Sequence, residues 1–178
     1  MARKPADQSV SRDEIILAAA EVLKRNGYEA TTMKDIAAQV NLTAASLYHH
    51  FTNKQTLLLA VLEAGLDNAI ERVEPVVNSK LSYANKLREM IRLHITTLTE
   101  NPAFGAAMVF EVRPLLSLAE NFPGDSRVRE EMRQMRDLFF TRRDYFEQLF
   151  REVVAEGIES GEFRAVDVPI VVKAMLGA

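Results

Sequence analysis

Residues 31–54 read TTMKDIAAQVNLTAASLYHHFTNK, and this stretch restricts the fold more than any other part of the chain. Met33, Ile36, Ala37 and Val40 recur at helical spacing before Asn41-Leu42 interrupts the pattern. Thr43 is a candidate N-cap, after which Ala44, Leu47, Tyr48 and Phe51 resume helical spacing. This second helix is barely two turns long and is marginal alone, so Leu47 and Phe51 are expected to anchor it by packing. Asn53 and Lys54 then open a further helix. Two short helices across a tight turn, followed by a longer one, form a helix-turn-helix, whose second helix is shaped to enter the DNA major groove.

The rest of the chain also scans as helix, and no Val/Ile/Thr-rich alternation suggests a sheet. Ser11-Arg12-Asp13-Glu14 is a capping box that starts a helix with Ile16, Ala19, Ala20 and Leu23 on its buried face, ended by Asn26-Gly27. Helix two begins at Thr31 or Thr32. Helix four is capped by Asn53 and passes Leu58, Val61, Leu62 and Ala69 towards Pro75. At roughly 20 residues, or about 30 Å, it joins the first fifty residues to everything after. Helix five covers about residues 82–100, with Leu87, Ile91, His94 and Leu98 as its apolar stripe. Pro102, Gly105, Pro114, Pro123 and Gly124 cut the middle into shorter pieces. A long helix from about 125 to 160 carries Phe146, Leu149, Phe150 and Val153 and stops at Gly161. Asp167 caps a last helix with Pro169 in its first turn.

Charge is informative only when divided. The net charge of −3 argues against nucleic acid, yet residues 1–56 hold seven Lys/Arg against six Asp/Glu, and the remainder fifteen against nineteen. Local positive charge is what a DNA site requires. Cysteine is absent, so disulfides, thiolate nucleophiles and Cys-based zinc are excluded. Absence also fits a reducing cytoplasm, the expected location. The longest apolar runs, residues 15–20 and 57–62, are far short of the roughly 18–20 residues that span a bilayer, and Asp13, Glu14 and Glu21 bracket the first against a signal peptide. No membrane partner is expected. No HExxH, ExxH, GxSxG, GxxxxGK[ST] or GxGxxG pattern occurs, and Glu89 and His94 are five apart rather than the three a di-iron bundle needs. No enzyme activity and no cofactor are expected. Adjacent His49-His50 point about 100° apart with no third ligand in sight, so no metal site is expected either.

Gly27-Tyr28, Thr31-Thr32, Ile36-Ala37, Val40, Leu47-Tyr48-His49-His50-Phe51, Asn53-Lys54 and Leu57-Leu58 together resemble the TetR-type transcriptional regulators. The match covers roughly residues 11–60; beyond it the likeness is a general one, an all-helical body of the right size. The resemblance implies an all-α chain in three parts: a flexible arm over 1–10, a helix-turn-helix domain over 11–54, and a helical effector-binding and dimerisation domain over 55–178. It implies a DNA-binding regulator, a ligand-released repressor acting as a homodimer on a palindromic operator. The alternative is a helical protein-binding adaptor that keeps the shape without the DNA.

Residue roles follow from the resemblance and from physical chemistry. Thr32 lies at a helix N-terminus, where amides and dipole favour a phosphate oxygen. Tyr48 and His50 can donate to the DNA backbone, as the family uses such positions. Lys54 opens helix four, where a cation is unfavourable unless an anion such as phosphate is present. Base reading falls to Thr43, Ala44, Ala45 and Ser46, with Met33 and Lys34 from helix two, although Met33 also starts an apolar stripe and reads as core. No Arg or Gln stands on the recognition helix, so direct readout is thin and DNA shape carries more of the specificity. Arg3 and Lys4 read either as a phosphate-tracking arm or as a solvated tail.

For the body, the long helix and the last helix are the expected dimer surface, represented by Phe150, Val153, Ile170 and Ala174. The last helix has about 11 residues, fewer than the resemblance implies. His94, Phe104, Met108, Phe110, Phe139 and Phe146 are the candidate pocket for a small-molecule effector, hydrophobic or acyl-CoA-like, with Arg142-Arg143 and Arg113 available to an acidic one. Each also has a plain reading as core or as a solvated face.

Overall fold

The computed structural model describes residues 10–100 and 126–177, and all regular structure among them is helical. Phe104, Met108, Phe110 and Arg113, and the arm residues Arg3 and Lys4, lie outside the described residues.

Helix α1 spans Arg12–Ala30. Its capping box is complete: the Glu14 amide donates to Ser11 Oγ at 3.1 Å and the Ser11 amide to Glu14 Oε2 at 2.7 Å. Gly27 departs from helical geometry at φ 72°, ψ 168°, so the expected stop becomes a kink followed by one more turn. Buried Thr31 closes that turn, its hydroxyl donating to the Gly27 carbonyl at 2.7 Å.

Helices α2 (Met33–Gln39) and α3 (Ala44–His50) start at Thr32 and Thr43. The turn between them is a Schellman motif. Asn41 takes φ 56°, the one positive φ among described non-glycine residues, and asparagine tolerates that conformation. The Leu42 amide then reaches the Ala37 carbonyl at 2.8 Å and the Asn41 amide the Ala38 carbonyl at 3.3 Å. The Ala37 and Ala38 carbonyls of α2 are thereby satisfied while the chain turns within two residues into the next N-cap.

Helix α4 covers Lys54–Val77, 24 residues or about 36 Å. Asn53 caps it, accepting from the Thr56 amide at 2.8 Å. Pro75 sits inside the last turn, where it deletes one backbone hydrogen bond and its ring crowds the Glu71 carbonyl, yet the helix runs on to Val77. Six consecutive residues, 57–62, are buried, so this part of α4 is covered on every side. It packs on α1 and, further along, on α5 (Tyr83–Glu100) and α6 (Ser126–Glu159). One apolar cluster runs from Ile15 of α1 through α4 to Phe150 of α6.

On α5 the sequence misplaces the inner face. The buried row is Lys86, Met90, Leu93 and Thr97, and the expected row of Leu87, Ile91, His94 and Leu98 is only half-buried. Two polar residues hid the inner row. Lys86 is buried because its ammonium donates to the Val77 carbonyl at 2.7 Å, and Thr97 because its hydroxyl receives the Arg72 guanidinium at 3.2 Å. Beyond α6, Gly161 turns the chain at φ 80°. Phe163 then lies against Gly157, where a Cβ would meet its ring at 2.2 Å, and Asp167 caps α7 (Val168–Leu176), which packs on α6.

Polar ties join these helices. Arg142 of α6 pairs with Asp67 of α4, the Tyr145 hydroxyl donates to Glu74, and Arg72 of α4 reaches Glu100 of α5 at 2.7 Å. Being exposed, each contributes little stability alone; their importance is that all three grip α4. Glu63 lies where these elements meet. Burial pushes its carboxyl above the usual range and Asp67 adds to that, while Arg12 of α1 and Arg142 of α6 pull it down.

Candidate nucleic-acid interface

Helix α3 is short, and its position depends on two side chains. Leu47 is fully buried and Phe51 nearly so, with the Arg12 guanidinium 4.8 Å above the Phe51 ring. The remaining side chains are left outward. Thr43, Ala45, Tyr48, His49 and His50 are exposed, as is Lys34 on α2, while Ala44 and Ser46 are half-buried. Lys34, Ala45, Tyr48 and His50 therefore lie on the surface of the helix-turn-helix.

Four expected site residues are placed differently. Met33 is buried among the core residues, so the apolar stripe it begins decides its role, and it is not offered to a base. Thr43 and Ser46 are drawn into the cap: the Ser46 amide donates to Thr43 Oγ1 at 3.1 Å and the two hydroxyls lie 2.9 Å apart. Thr32 is likewise the N-cap of α2. Its hydroxyl donates to Asp35 Oδ2 at 2.6 Å and its amide to the same oxygen at 2.9 Å. Those two bonds hold the Asp35 carboxyl below its ordinary range, so a negative charge stands beside Thr32. Contact with a phosphate requires the hydroxyl to swing away from that carboxylate.

Lys54 answers its own puzzle. A cation at a helix N-terminus needs a compensating negative partner, and the phosphate expected for it is not required. Its ammonium donates to the carbonyls of Tyr28 at 2.7 Å, Thr31 at 3.0 Å and Glu29 at 3.5 Å, and sits 4.1 Å from the centre of the Tyr28 ring. It ties the start of α4 to the end of α1. Lys54→Met is expected to lower the unfolding free energy by about 1.5–3 kcal/mol, the range for hydrogen bonds from a charged group. Urea titration measures it; an unchanged midpoint would remove this structural role.

In the body, His94 lies against two phenylalanines, 5.8 Å from the Phe146 ring and 6.3 Å from Phe150. Phe139 is fully buried on the same side of α6. Of the expected pocket, the structure thus gathers His94, Phe139 and Phe146 on one apolar wall. Phe150 and Val153 belong to this wall too. Both are fully buried within the single chain, which overturns their expected place on a dimer surface: the α6 stripe faces α4 and α5. Ile170, 67% exposed, and Ala174 do face outward on α7. Beside them a groove of about 500 Å³ is lined by Arg143, Asp144, Glu147, Gln148, Arg151 and Lys173.

Burial holds the His94 imidazolium below its ordinary value of 6.5. Folded protein therefore binds this proton less readily than unfolded chain, and stability rises with pH across that interval. Its contribution is complete above about pH 6.5 and declines as the pH falls below it. His94→Leu is expected to flatten this part of a melting-temperature profile; a slope identical to the parent would remove His94 as its source.

Among the described residues, no group of three or more His, Cys, Asp or Glu is placed to hold a metal ion. No described helix is long and apolar enough to cross a membrane.

Comparison with known proteins gives a consistent result. A family model for bacterial regulatory proteins of the tetR family matches residues 15–61, and one for the tetracyclin repressor-like C-terminal domain matches residues 80–178. The uncharacterized HTH-type transcriptional regulator YfiR of Bacillus subtilis is 30% identical over 159 residues, covering 86% of this chain and 68% of the relative. The HTH-type transcriptional repressor KstR2 of Mycolicibacterium smegmatis is 26% identical over 168 residues, 94% of this chain and 75% of the relative. Among solved structures, AibR in complex with isovaleryl coenzyme A and operator DNA superposes with a TM-score of 0.71 at 27% identity, covering 93% of this chain and 82% of that one.

Proposed function

Because this chain belongs to the tetR family of bacterial regulatory proteins, we propose that it is a repressor that binds a palindromic operator as a homodimer and leaves it when a small molecule binds. The broader statement, a DNA-binding transcriptional regulator, follows from the family and from relatives such as the KstR2 repressor. In the division of labour we propose, residues 11–54 hold DNA, residues 55–178 sense the effector and pair two copies, and residues 1–10 form an arm.

One observation carries the release mechanism: α4 is a single uninterrupted helix with its ends in different company. Its start is tied to α1 through Lys54, and its later turns are held to α5 and α6 through Arg72, Asp67 and Glu74. An effector that favours one arrangement of α5 and α6 shifts the population of α4 orientations. Since α1 moves with α4, the separation of the two α3 helices in a dimer changes. Half-sites about one helical turn apart do not tolerate that change.

An acyl-CoA or similarly hydrophobic molecule is the effector class we propose. The AibR relative, solved with isovaleryl coenzyme A and operator DNA, is what supports this class; the rings at His94, Phe139 and Phe146 are packed core, and they would have to part to admit an acyl chain. Arg142, which sequence suggested for an acidic effector, is paired with Asp67 and serves α4 instead. For the dimer, the outward side of α6 with Ile170 and Ala174 of α7 is the surface we propose.

Fluorescence anisotropy with DNA from upstream of the gene tests the reading. Binding that weakens steeply with salt, and is reversed by an acyl-CoA, supports it. No binding at low salt favours the adaptor reading, which the absence of Arg and Lys from α3 motivates. Binding that no acyl-CoA weakens rejects the effector class alone.

A further inference from the structure

We propose that His49 is the side chain with which this protein reads a guanine in the major groove, an inference that rests on the DNA-binding reading above and names its reader. Successive side chains on an α-helix are set about 100° apart. Leu47 and Phe51 are buried and mark the side on which α3 is anchored. By that spacing His49 points about 160° away from each of them, on opposite sides, so it occupies the outward pole of the helix. Ala45 lies one turn earlier on the same stripe. Tyr48 and His50 stand about 100° to either side, aimed at the two walls of a groove rather than at its floor.

The neighbours leave the reading to His49. Ala45 presents only a methyl group. Ser46, the next closest to the pole, has its hydroxyl 2.9 Å from that of Thr43 within the N-cap. His49 is exposed, and its imidazole carries an N–H donor in either tautomer. Guanine offers two adjacent acceptors, N7 and O6, on its major-groove edge, whereas adenine pairs its single acceptor with an amino donor. The small Ala45, about 40° from the pole and exposed, lets the helix backbone approach the base edges closely. A side chain of histidine's length then reaches the floor, and a long Arg or Gln is not needed. The fork-bearing residues expected of a base-reading helix are thus replaced by a close approach and one imidazole.

The experiment is selection of bound DNA from a random pool, run on the full-length protein, His49→Ala and His50→Ala. The parent should select a palindrome with a guanine at one position of each half-site. His49→Ala should lose preference at that position alone while keeping the rest of the motif and the salt dependence. Replacing that guanine by 7-deazaguanine should weaken the parent about tenfold and leave His49→Ala unchanged. His50→Ala should weaken all sequences alike. An unaltered motif in His49→Ala, or an equal loss on every sequence, overturns the proposal and leaves the DNA-binding reading standing. A parent that selects no sequence overturns the reading itself and the proposal with it. Matching circular dichroism of parent and variant confirms that α3 is kept, as expected for alanine at an exposed helical position.

Discussion

Leu47→Ala is expected to remove sequence-specific DNA binding while leaving α4 to α7 folded. The side chain is fully buried, and deleting it costs about 2–5 kcal/mol through lost transfer energy and the cavity left behind. That cost falls on a helix with little stability of its own: seven residues form too few backbone hydrogen bonds to offset nucleation. Helix α3 is placed by Leu47, by Phe51 and by the Schellman turn at Asn41, and the first of these is the deepest. Apparent affinity falls in proportion to the fraction of molecules with α3 docked, so even 2 kcal/mol lowers it roughly 30-fold once docking becomes limiting. Leu47→Met conserves volume and should cost less than about 1.5 kcal/mol, with most of the binding retained. Anisotropy with a selected operator, read beside a urea titration, makes the comparison. Full affinity in Leu47→Ala would show that α3 is held by something else.

The sequence exposed the N-terminal unit so fully because its signals are local. Ser11, Thr32, Thr43 and Asn53 each cap a helix by bonding residues three positions away, which is short-range chemistry visible in any window of four. The anchors Leu47 and Phe51 follow from the same spacing. What sequence did not reveal depends on partners far along the chain. Lys54 asked for a negative partner, and it found the partial charge of backbone carbonyls about 25 residues earlier, a relation no local pattern encodes. Lys86 and Thr97 interrupted the apolar row of α5 because their polar atoms are satisfied on α4. Periodicity assumes that polar residues face water, and it fails where a distant group supplies the hydrogen bond.

The outward position of His49 has a different kind of signal, weaker than the caps and phosphate-gripping positions beside it. Yet the 100° step that argues against a His49-His50 metal pair also puts His49 opposite Leu47 and Phe51.

Phe150 shows the same limit on the body, and its truncation is the second large effect. An aromatic stripe on a long C-terminal helix can face a second copy of the chain or the chain's own core, and periodicity is identical in the two cases. The structure separates them: Phe150 is fully buried within one chain, against His94 of α5 and Phe146 of α6. Phe150→Ala is therefore expected to destabilise each protomer by about 3–5 kcal/mol. Water entering the space should relieve the desolvation of His94 and return its titration towards 6.5, which histidine NMR can follow. A residue that only held two copies together would behave otherwise, giving a stable monomer with an unperturbed His94. Ile170→Glu supplies the contrast, because that side chain is 67% exposed. It should leave protomer unfolding within about 0.5 kcal/mol of the parent, as surface changes generally do, and, if the proposed dimer surface holds, shift the sedimentation profile from dimer to monomer. If Phe150→Ala instead yields a stable, well-folded monomer, the α6 stripe faces a partner after all, and the coupling of α4 to α6 through this core has to be abandoned.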